Sequence, residues 1–220
     1  MKERRWNNQY IELISQRRDR IFAVKTPEEL ADTKSALLNL RTSYDALIVE
    51  LGSGSGGHLI GHALKAIDVL HIGFELRFKR AYRTIEKASN SNAENLYMVQ
   101  GDARSMLELF ADESIDGIYV NFPDPWAKTR WKKHRILNGS FLDLIHSKLK
   151  PGGFFSHKTD HPEYFQETVE SLRLVADAEI LQLSDNLHTT QIGTDFVKSE
   201  FENLFISQGL PVYYVETRKK

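Results

Sequence analysis

From Tyr44 onward, the sequence alternates between short runs rich in β-branched and aromatic residues and longer runs with helical spacing. Seven short runs are predicted to be strands: Ala46–Leu51, Val69–Glu75, Leu96–Gln100, Ile115–Phe122, Gly153–Lys158, Ala178–Leu183 and Pro211–Thr217. Helix-like segments separate the first six of them: His58–Ala66, Arg77–Asn90, Ser105–Leu109, Gly139–Leu149 and Pro162–Val175. This alternation predicts an α/β fold with a mostly parallel sheet covered by helices on both faces. The last two strands have no evident helix between them, so we expect an antiparallel hairpin that closes the sheet edge.

The first 43 residues lack this alternation and are predicted to form a basic helical extension (1–43) ahead of a single domain (44–220). Apolar residues at helical spacing predict one amphipathic helix with a basic outer face within residues 1–20. Its apolar residues are Trp6, Tyr10, Leu13 and Ile14, and its basic ones are Lys2, Arg4, Arg5, Arg17, Arg18 and Arg20. A second helix is predicted to start at Pro27, after Thr26, and to end near Asn39.

The composition is that of a globular protein and narrows the possible chemistry. The chain has 220 residues, 41% of them hydrophobic, which excludes a disordered chain, a collagen and a coiled-coil rod. It has no cysteine, which excludes disulfides, thiolate zinc sites and cysteine nucleophiles. No apolar run approaches the roughly 20 residues of a membrane helix, and no apolar segment follows the basic residues at the start. We therefore expect a cytoplasmic protein with no membrane partner.

The net charge of −1 comes from 29 Lys and Arg against 30 Asp and Glu. Such a value alone argues mildly against a polyanionic partner. The charges are segregated, however, because basic residues gather at the N-terminus, in 128–135 and at 218–220. The total therefore gives no evidence against RNA binding, which depends on the local patch.

A glycine-rich run links the first predicted strand of the domain to the next helix. It contains Gly52, Gly54, Gly56 and Gly57. Glycines at such a turn let the backbone approach a cofactor closely, and the following helix N-terminus favours polar or anionic groups. The spacing of Gly52, Gly54 and Gly57 also matches the dinucleotide-binding fingerprint, so the loop alone does not identify the cofactor.

Three acids, one after each of three successive strands, sharpen the cofactor prediction. Glu75 lies 25 positions after Glu50, where a carboxylate accepts ribose hydroxyls, a feature that NAD enzymes share. Glu50 directly precedes the glycines and would repel a pyrophosphate but attract the ammonium group of a methionine moiety. Asp102 is placed to accept from the exocyclic amine of adenine, although a helix N-cap is a common role for such an Asp. Together the acids favour S-adenosylmethionine.

The most informative stretch runs from Asn121 to Arg135 and reads NFPDPWAKTRWKKHR. Two prolines bracket Asp124 and place it at the carboxyl edge of the sheet, where open α/β sheets bind ligands. Phe122 and Trp126 are suited to line a slot for a flat ring. The second half carries five Lys or Arg residues with Trp131 among them, a combination that suits a phosphate backbone and an unstacked base. A charge run is more often a solvated surface, but adjacency to the predicted methyl-transfer site favours RNA binding.

Four segments together resemble the bacterial tRNA (guanine-N7-)-methyltransferases: Ile48–Gly57, Gly73–Glu75, Gln100–Ala103 and, most specifically, Asn121–Arg135. The family pattern in the last segment is close to FPDPWPKKRHHKRR, against FPDPWAKTRWKKHR here. The resemblance covers about residues 44–217. It implies a Rossmann-like class I methyltransferase fold, with a mostly parallel seven-stranded sheet and an antiparallel closing strand. It also implies methyl transfer from S-adenosylmethionine to N7 of a guanine in the tRNA variable loop, by a monomer or a homodimer.

The resemblance also implies site residues. The expected cofactor-binding residues are Glu50, Gly52, Gly54, Glu75, Asp102 and Asp124, and the expected substrate-binding residues are Lys128, Asp160, Ser199 and Glu202. Asp124 is the expected catalytic residue, because its carboxylate would stabilise the cation that develops on the purine. Departures from the family pattern are Ala127, Thr129, Trp131, and Ser199 in place of a threonine. Thr194–Val197 offers an alternative register for the Ser199–Glu202 element.

Parts of the sequence also fit three other functions. An NAD-dependent oxidoreductase fits the glycine spacing and Glu75, but Glu50 counts against it. An amino-group methyltransferase has a similar strand-four motif, although it usually pairs two adjacent prolines with its aromatic residue. A non-catalytic RNA-binding module is disfavoured by the intact set of acids. No metal site is expected, and His58, His62 and His71 are predicted to be surface or hydrogen-bonded histidines rather than ligands.

Overall fold

The computed structural model describes residues 8–24, 26–190 and 197–220. The helices in these residues are α1 (Gln9–Ser15), α2 (Pro27–Arg41), α3 (Gly57–Lys65), α4 (Phe78–Asn90), α5 (Ala103–Met106), α6 (Gly139–Lys148), α7 (Pro162–Leu172) and α8 (Glu200–Ser207). The strands are β1 (Ile21–Ala23), β2 (Ala46–Leu51), β3 (Val69–Glu75), β4 (Leu96–Gln100), β5 (Ile115–Asn121), β6 (Leu149–Thr159), β7 (Ala178–Ser184) and β8 (Tyr213–Lys219). Short 3₁₀ turns cover Leu107–Leu109, Thr129–His134 and Leu187–Thr189.

All eight strands belong to one sheet, in the order β1-β4-β3-β2-β5-β6-β8-β7. Every neighbouring pair is parallel except the two that involve β8, which runs antiparallel to β6 and to β7. The strand order reverses at β2, which pairs with β3 on one side and with β5 on the other. A crevice at the carboxyl ends of β2 and β5 is therefore the place where an open α/β sheet binds its ligand.

The seven predicted strands and the antiparallel closing hairpin are confirmed, and three of the strands have the predicted limits. Buried parallel strands are continuous apolar runs, which makes them readable in a sequence. The structure adds β1, whose Ile21 lies opposite Met98 at the free edge of β4. Its three residues are too few to give a periodic signal.

Helices cover both faces of the sheet and bury two apolar clusters. One cluster takes side chains from α1, α3 and α4, among them Ile14, Leu59 and Ile85. The other takes side chains from α2, α6 and α7, among them Leu37, Ile145 and Val169. In the described part of the chain, no helix combines the length and the apolar character that a membrane crossing would need.

The N-terminal segment differs in detail from the predicted amphipathic helix. Helix α1 begins after the capping residue Asn8 and ends at Ser15, and Trp6 lies outside the described residues. Arg20, expected on a basic outer face, is buried, and its guanidinium donates hydrogen bonds to the carbonyl oxygens of Leu96 and Ala93. This arginine therefore attaches the segment to the start of β4. The boundary between an extension (1–43) and a domain (44–220) stays a prediction.

Helix α8 was not predicted, although its start has a recognisable signature. Ser199 accepts from the backbone N–H of Glu202, and the Glu202 carboxylate accepts from the backbone N–H of Ser199. This is a capping box, which Ser-x-x-Glu predicts at a helix start. The helix is only eight residues long, which is too short for a clear periodic pattern.

Candidate active site

A cavity of about 510 Å³ opens at the carboxyl edge of the sheet, where the strand order reverses. Its walls come from the glycine loop after β2, the ends of β3 and β4, the segment after β5 and the start of α8. Among its lining residues are Glu50, Gly52, Gly54, His58, Glu75, Asp102, Asn121, Phe122, Asp124, Trp126, Ser199 and Phe201. The structure thus brings together all six predicted cofactor residues, which lie far apart in the sequence.

The glycine loop presents bare backbone to this cavity. Gly52, Gly54 and Gly56 have φ angles of +75°, +58° and +79°, a region that residues with a side chain rarely adopt. A Cβ atom added at Gly52 would meet no atom within 4 Å, so this backbone faces open space. The N–H groups of Gly52 and Ser53 both donate to the carbonyl of Phe74, which attaches the loop to β3. A ligand can therefore approach the main chain here.

Glu50 lies at the base of the cavity with 2% of its surface exposed. Its Oε1 accepts a hydrogen bond from Asn121 Nδ2 at 2.9 Å and lies 3.1 Å from His58 Nδ1. Its Oε2 is buried and has no hydrogen-bond partner among the described residues. A buried carboxylate oxygen without a partner is costly, so this site is incomplete until a donor or a cation meets it.

Glu75 is buried at the end of β3, and both of its oxygens accept backbone hydrogen bonds. Oε1 accepts from Arg77 N at 2.8 Å, and Oε2 accepts from Gly54 N at 3.1 Å. Each carboxylate oxygen has two lone pairs, so capacity remains for the hydroxyls of a ribose. The bond to Gly54 also couples the shape of the glycine loop to Glu75.

Asp102 lies at the end of β4 on the cavity wall and is exposed. Its Oδ1 accepts from the backbone N–H of Arg104 at 3.0 Å, so it is the N-cap of α5. The alternative role foreseen for this residue type is therefore present. Capping and a contact with adenine are compatible, because a carboxylate can accept several hydrogen bonds.

The segment after β5 has a strained backbone that holds Asp124 at the cavity. Phe122 and Trp126, on either side of Pro-Asp-Pro, have φ angles of +49° and +43°. Bulky residues in this region cost of order 1–3 kcal/mol each and persist only where the surroundings impose them, most often at functional sites. Asp124 is exposed, while Phe122 and Trp126 line the cavity.

Arg135 stabilises this strained segment through its side chain. Its Nε donates to the carbonyl oxygen of Pro125 at 2.7 Å, and its guanidinium forms an ion pair with Glu167 on α7. The same guanidinium lies 4.8 Å from the ring centroid of Tyr164. Only 3% of Arg135 is exposed. Arg135 therefore stabilises the fold of this segment and is not available to RNA. The sequence analysis had counted it among the basic residues suited to a phosphate backbone.

The remaining basic residues of the stretch fall into two groups. Lys132 pairs with Glu163 and Glu167, and this pairing raises the pKa of Lys132. Lys128, Arg130 and Lys133 are exposed. The Lys128 ammonium and the Arg130 guanidinium lie 4.8 and 4.9 Å from the ring centroid of Trp131, as cation–π pairs do. Trp131 contacts Trp126 edge to face, so these cations adjoin the cavity rim.

The predicted substrate residues, unlike the predicted cofactor residues, do not all line the cavity. Ser199 lines the cavity as the N-cap of α8, and Asp160 follows β6 and is partly buried. Glu202 is fully buried, and its carboxylate pairs with Lys158 and His188. The alternative register at Thr194–Val197 falls mostly outside the described residues, since 191–196 are not described. The roles of these residues stay predictions.

The sequence analysis assigned no cofactor role to His58 and Asn121, which line the cavity beside Glu50. His58 and His71 are buried, so of the two roles predicted for them it is the hydrogen-bonded one that the structure shows: His58 Nδ1 contacts Glu50, and His71 Nδ1 contacts the carbonyl oxygen of Val69. His58 carries a buried Nε2 without a hydrogen-bond partner among the described residues. The only sequence signal was its position in the first turn of the helix after the glycine loop. The described residues hold no group of three or more His, Asp or Glu side chains placed to bind a metal ion.

The geometry fits S-adenosylmethionine. A buried carboxylate oxygen without a partner suits the ammonium of its methionine part. The open glycine backbone and Glu75 suit the ribose. Asp102 beside the cavity suits the adenine. A volume of about 510 Å³ falls within the usual range of small-molecule sites, roughly 300–1,000 Å³.

Comparison with known proteins identifies methyltransferases as the relatives of this chain. A family model described as "Putative methyltransferase" matches residues 45–215. The tRNA (guanine-N(7)-)-methyltransferase of Bdellovibrio bacteriovorus is 31% identical over 79% of this chain and 82% of its own length. The enzyme of the same name from Oceanobacillus iheyensis is 30% identical over 94% of this chain and 93% of its own length.

Among solved structures, a 16S rRNA methyltransferase superposes with a TM-score of 0.64. It covers 84% of this chain and 93% of its own at 13% identity, a likeness that shows the fold alone. The fold predicted from the alternating pattern and the resemblance carried by FPDPW are both confirmed. The chain belongs to the family of tRNA (guanine-N7-)-methyltransferases.

Proposed function

We propose that the protein methylates N7 of a guanine in the variable loop of tRNA, with S-adenosylmethionine as the methyl donor. One observation carries this proposal: the exposed cations Lys128 and Arg130 lie against Trp131 beside the cavity rim. Trp126 connects these residues to the cavity, because it lines the cavity and contacts Trp131. A base placed in the cavity would therefore have its phosphates beside these cations, as single-stranded RNA sites require.

The chemistry asks little of the protein. When bound, S-adenosylmethionine supplies an electrophilic methyl group on a sulfonium. N7 of guanine has an available lone pair at neutral pH, so no general base has to remove a proton first. The chain's contribution is then mainly to hold the nucleophile in line and close, which accounts for a large part of many enzymic rate enhancements.

Each predicted residue then has a definite task. Glu50, Glu75 and Asp102, with the backbone at Gly52 and Gly54, hold the amino-acid, ribose and adenine parts of the cofactor. Asp124 stabilises the positive charge that passes to the purine ring. Asp160 and Glu202 hold the N1 and N2 edge of the guanine, and Ser199 caps the helix that carries Glu202. Glu202 is fully buried, and its two oxygens already accept hydrogen bonds from Lys158, His188 and the Ser199 N–H, so contact with the base would require one of these bonds to open.

The proposed partner is tRNA, and the proposed location is the cytoplasm, where tRNA is modified. Arg18, which is exposed in the N-terminal extension, is a second proposed contact for the tRNA backbone.

We predict that the protein, given labelled S-adenosylmethionine, will transfer label to an unmodified tRNA transcript and yield 7-methylguanosine on nucleoside mapping. A transcript made with 7-deazaguanosine, which has carbon in place of N7, should accept none. A transcript with adenines in place of the variable-loop guanines tests the position. Label on an amino group would contradict the N7 proposal, and tight binding of NAD alone in calorimetry would contradict the methyltransferase proposal.

We predict that Lys128→Ala will weaken tRNA binding and lower the slope of log affinity against log salt by about one unit, because one phosphate contact is lost. Lys132→Ala is the matched control, since this lysine of the same stretch is held by Glu163 and Glu167. Its slope should change by clearly less. Equal changes for the two variants in a filter-binding series would argue against a specific phosphate contact at Lys128.

A further inference from the structure

Three polar side chains meet at the base of the cavity: Glu50, Asn121 and His58. Glu50 Oε1 lies 2.9 Å from Asn121 Nδ2 and 3.1 Å from His58 Nδ1, and these two nitrogens are 3.2 Å apart. Three other atoms of the same groups, Glu50 Oε2, Asn121 Oδ1 and His58 Nε2, are buried without hydrogen-bond partners among the described residues. Such a set calls for an explanation, because buried polar atoms are nearly always paired.

The contacts place a hydrogen on one ring nitrogen of His58. A carboxylate oxygen only accepts, so a stable 3.1 Å contact requires a hydrogen on His58 Nδ1. The Asn121 amide must then donate to Glu50 and not to the imidazole. Glu50 Oε1 thus accepts from two sides, which fixes the orientation of the carboxylate. Oε2 is the oxygen left for a ligand.

The atoms of Glu50 and Asn121 that lack a hydrogen-bond partner in the described part of the chain are both acceptors. Glu50 Oε2 and Asn121 Oδ1 accept hydrogen bonds and cannot donate them. A primary ammonium has three N–H donors and no acceptor, so it complements this pair, whereas an anionic or acceptor-rich group does not. Both residues line the cavity, as does His58.

We propose that His58 is a positioning residue for the methyl donor: it holds Glu50 so that Oε2 receives the ammonium of the methionine part. This inference rests on the proposed use of S-adenosylmethionine. In this proposal His58 contacts neither the transferred methyl group nor the guanine. It predicts a dependence on His58 only for ligands that carry the amino-acid part.

A second histidine of the same helix provides a matched control. His62 follows His58 by one turn of α3, and its ring stacks on Tyr119 with centroids 5.0 Å apart. Burial lowers the pKa of His62 to about 3, so this ring is neutral at physiological pH. The His58 and His62 rings are in edge-to-face contact, with centroids 4.5 Å apart. If the His58 variant lost affinity only because packing on this face of α3 was disturbed, the His62 variant should therefore lose affinity too.

The experiment is calorimetry with two adenosine ligands on the intact protein. S-Adenosylhomocysteine carries the amino-acid part, and 5′-methylthioadenosine lacks it. His58→Phe should weaken S-adenosylhomocysteine binding roughly 10-fold or more, the usual effect of a lost hydrogen bond to a charged group, and leave methylthioadenosine binding unchanged. His58→Asn keeps an N–H near the position of Nδ1 and should restore most of the affinity. His62→Phe should change neither ligand's affinity.

Other results would overturn the inference. An equal loss for both ligands in His58→Phe would indicate a general structural role, as would the same selective loss in His62→Phe. Unchanged affinity for S-adenosylhomocysteine in His58→Phe would show that Glu50 needs no such partner. If the unsubstituted protein bound neither adenosine ligand, the proposed function itself would be wrong. That result would be distinct from a failure confined to His58.

Discussion

Replacing Asp124 with alanine is expected to lower kcat for tRNA methylation roughly 100-fold or more, the usual scale for removing one preorganised electrostatic group. Asp124 stands on the cavity wall between two residues in the left-handed region, Phe122 and Trp126. This arrangement imposes its position before any substrate arrives. The loss should appear in kcat because the carboxylate acts on a charge that develops only during methyl transfer.

The stability of the Asp124→Ala protein should stay within about 0.5 kcal/mol of the unsubstituted one, because the side chain is exposed. Asp124→Asn keeps the shape and removes the charge, so it should behave like the alanine variant if charge is the cause. Asp112, an exposed acid ahead of β5 at the opposite edge of the sheet, provides the control Asp112→Ala. Single-turnover rates at saturating tRNA would test this, and an unchanged rate for Asp124→Ala would remove the residue from the mechanism.

The predictable part of this fold is the part with the strongest local signal. The runs Ala46–Leu51, Val69–Glu75 and Leu96–Gln100 are strands with the predicted limits, because strands buried on both faces are continuous apolar segments. Strand β1 could not be predicted in the same way. Its pairing depends on the free edge of β4 and on the bonds of Arg20 to Leu96 and Ala93, which are contacts over more than 70 residues of sequence.

The candidate site shows the same division. Acids at strand ends were predictable, because parallel strands bring their carboxyl ends to one edge. The partners of those acids were not predictable, since a contact such as His58 to Glu50 depends on how a helix turns above the sheet. The basic stretch of 128–135 shows the limit of composition. Arg135 and Lys132 carry the same charge as Lys128, yet both pair with Glu167 on α7.

Replacing Lys158 with methionine is expected to destabilise the protein by about 3–5 kcal/mol, because it leaves the carboxylate of Glu202 buried without its main counter-charge. Neither side chain has measurable exposure, and Lys158 Nζ lies 3.0 and 3.1 Å from the two Glu202 oxygens. Burial lowers the pKa of Lys158, while the carboxylate opposes this shift. For a chain of this length, the loss corresponds to a fall of about 10 °C in melting temperature.

Two variants separate the buried charge from the loss of a lysine as such. Lys87→Met removes a lysine that pairs with Glu200, which lies on α8 as Glu202 does. The distance between the charged atoms of this pair is also 3.1 Å, but both partners are exposed. Lys87→Met should cost less than about 1 kcal/mol, because solvent screens such a pair. Lys158→Met combined with Glu202→Gln removes the uncompensated charge, keeps an acceptor for the capping box, and should regain at least half of the lost stability. Urea unfolding of the four proteins decides between these outcomes. If Lys158→Met lost no more stability than Lys87→Met, burial of the pair would have no energetic weight.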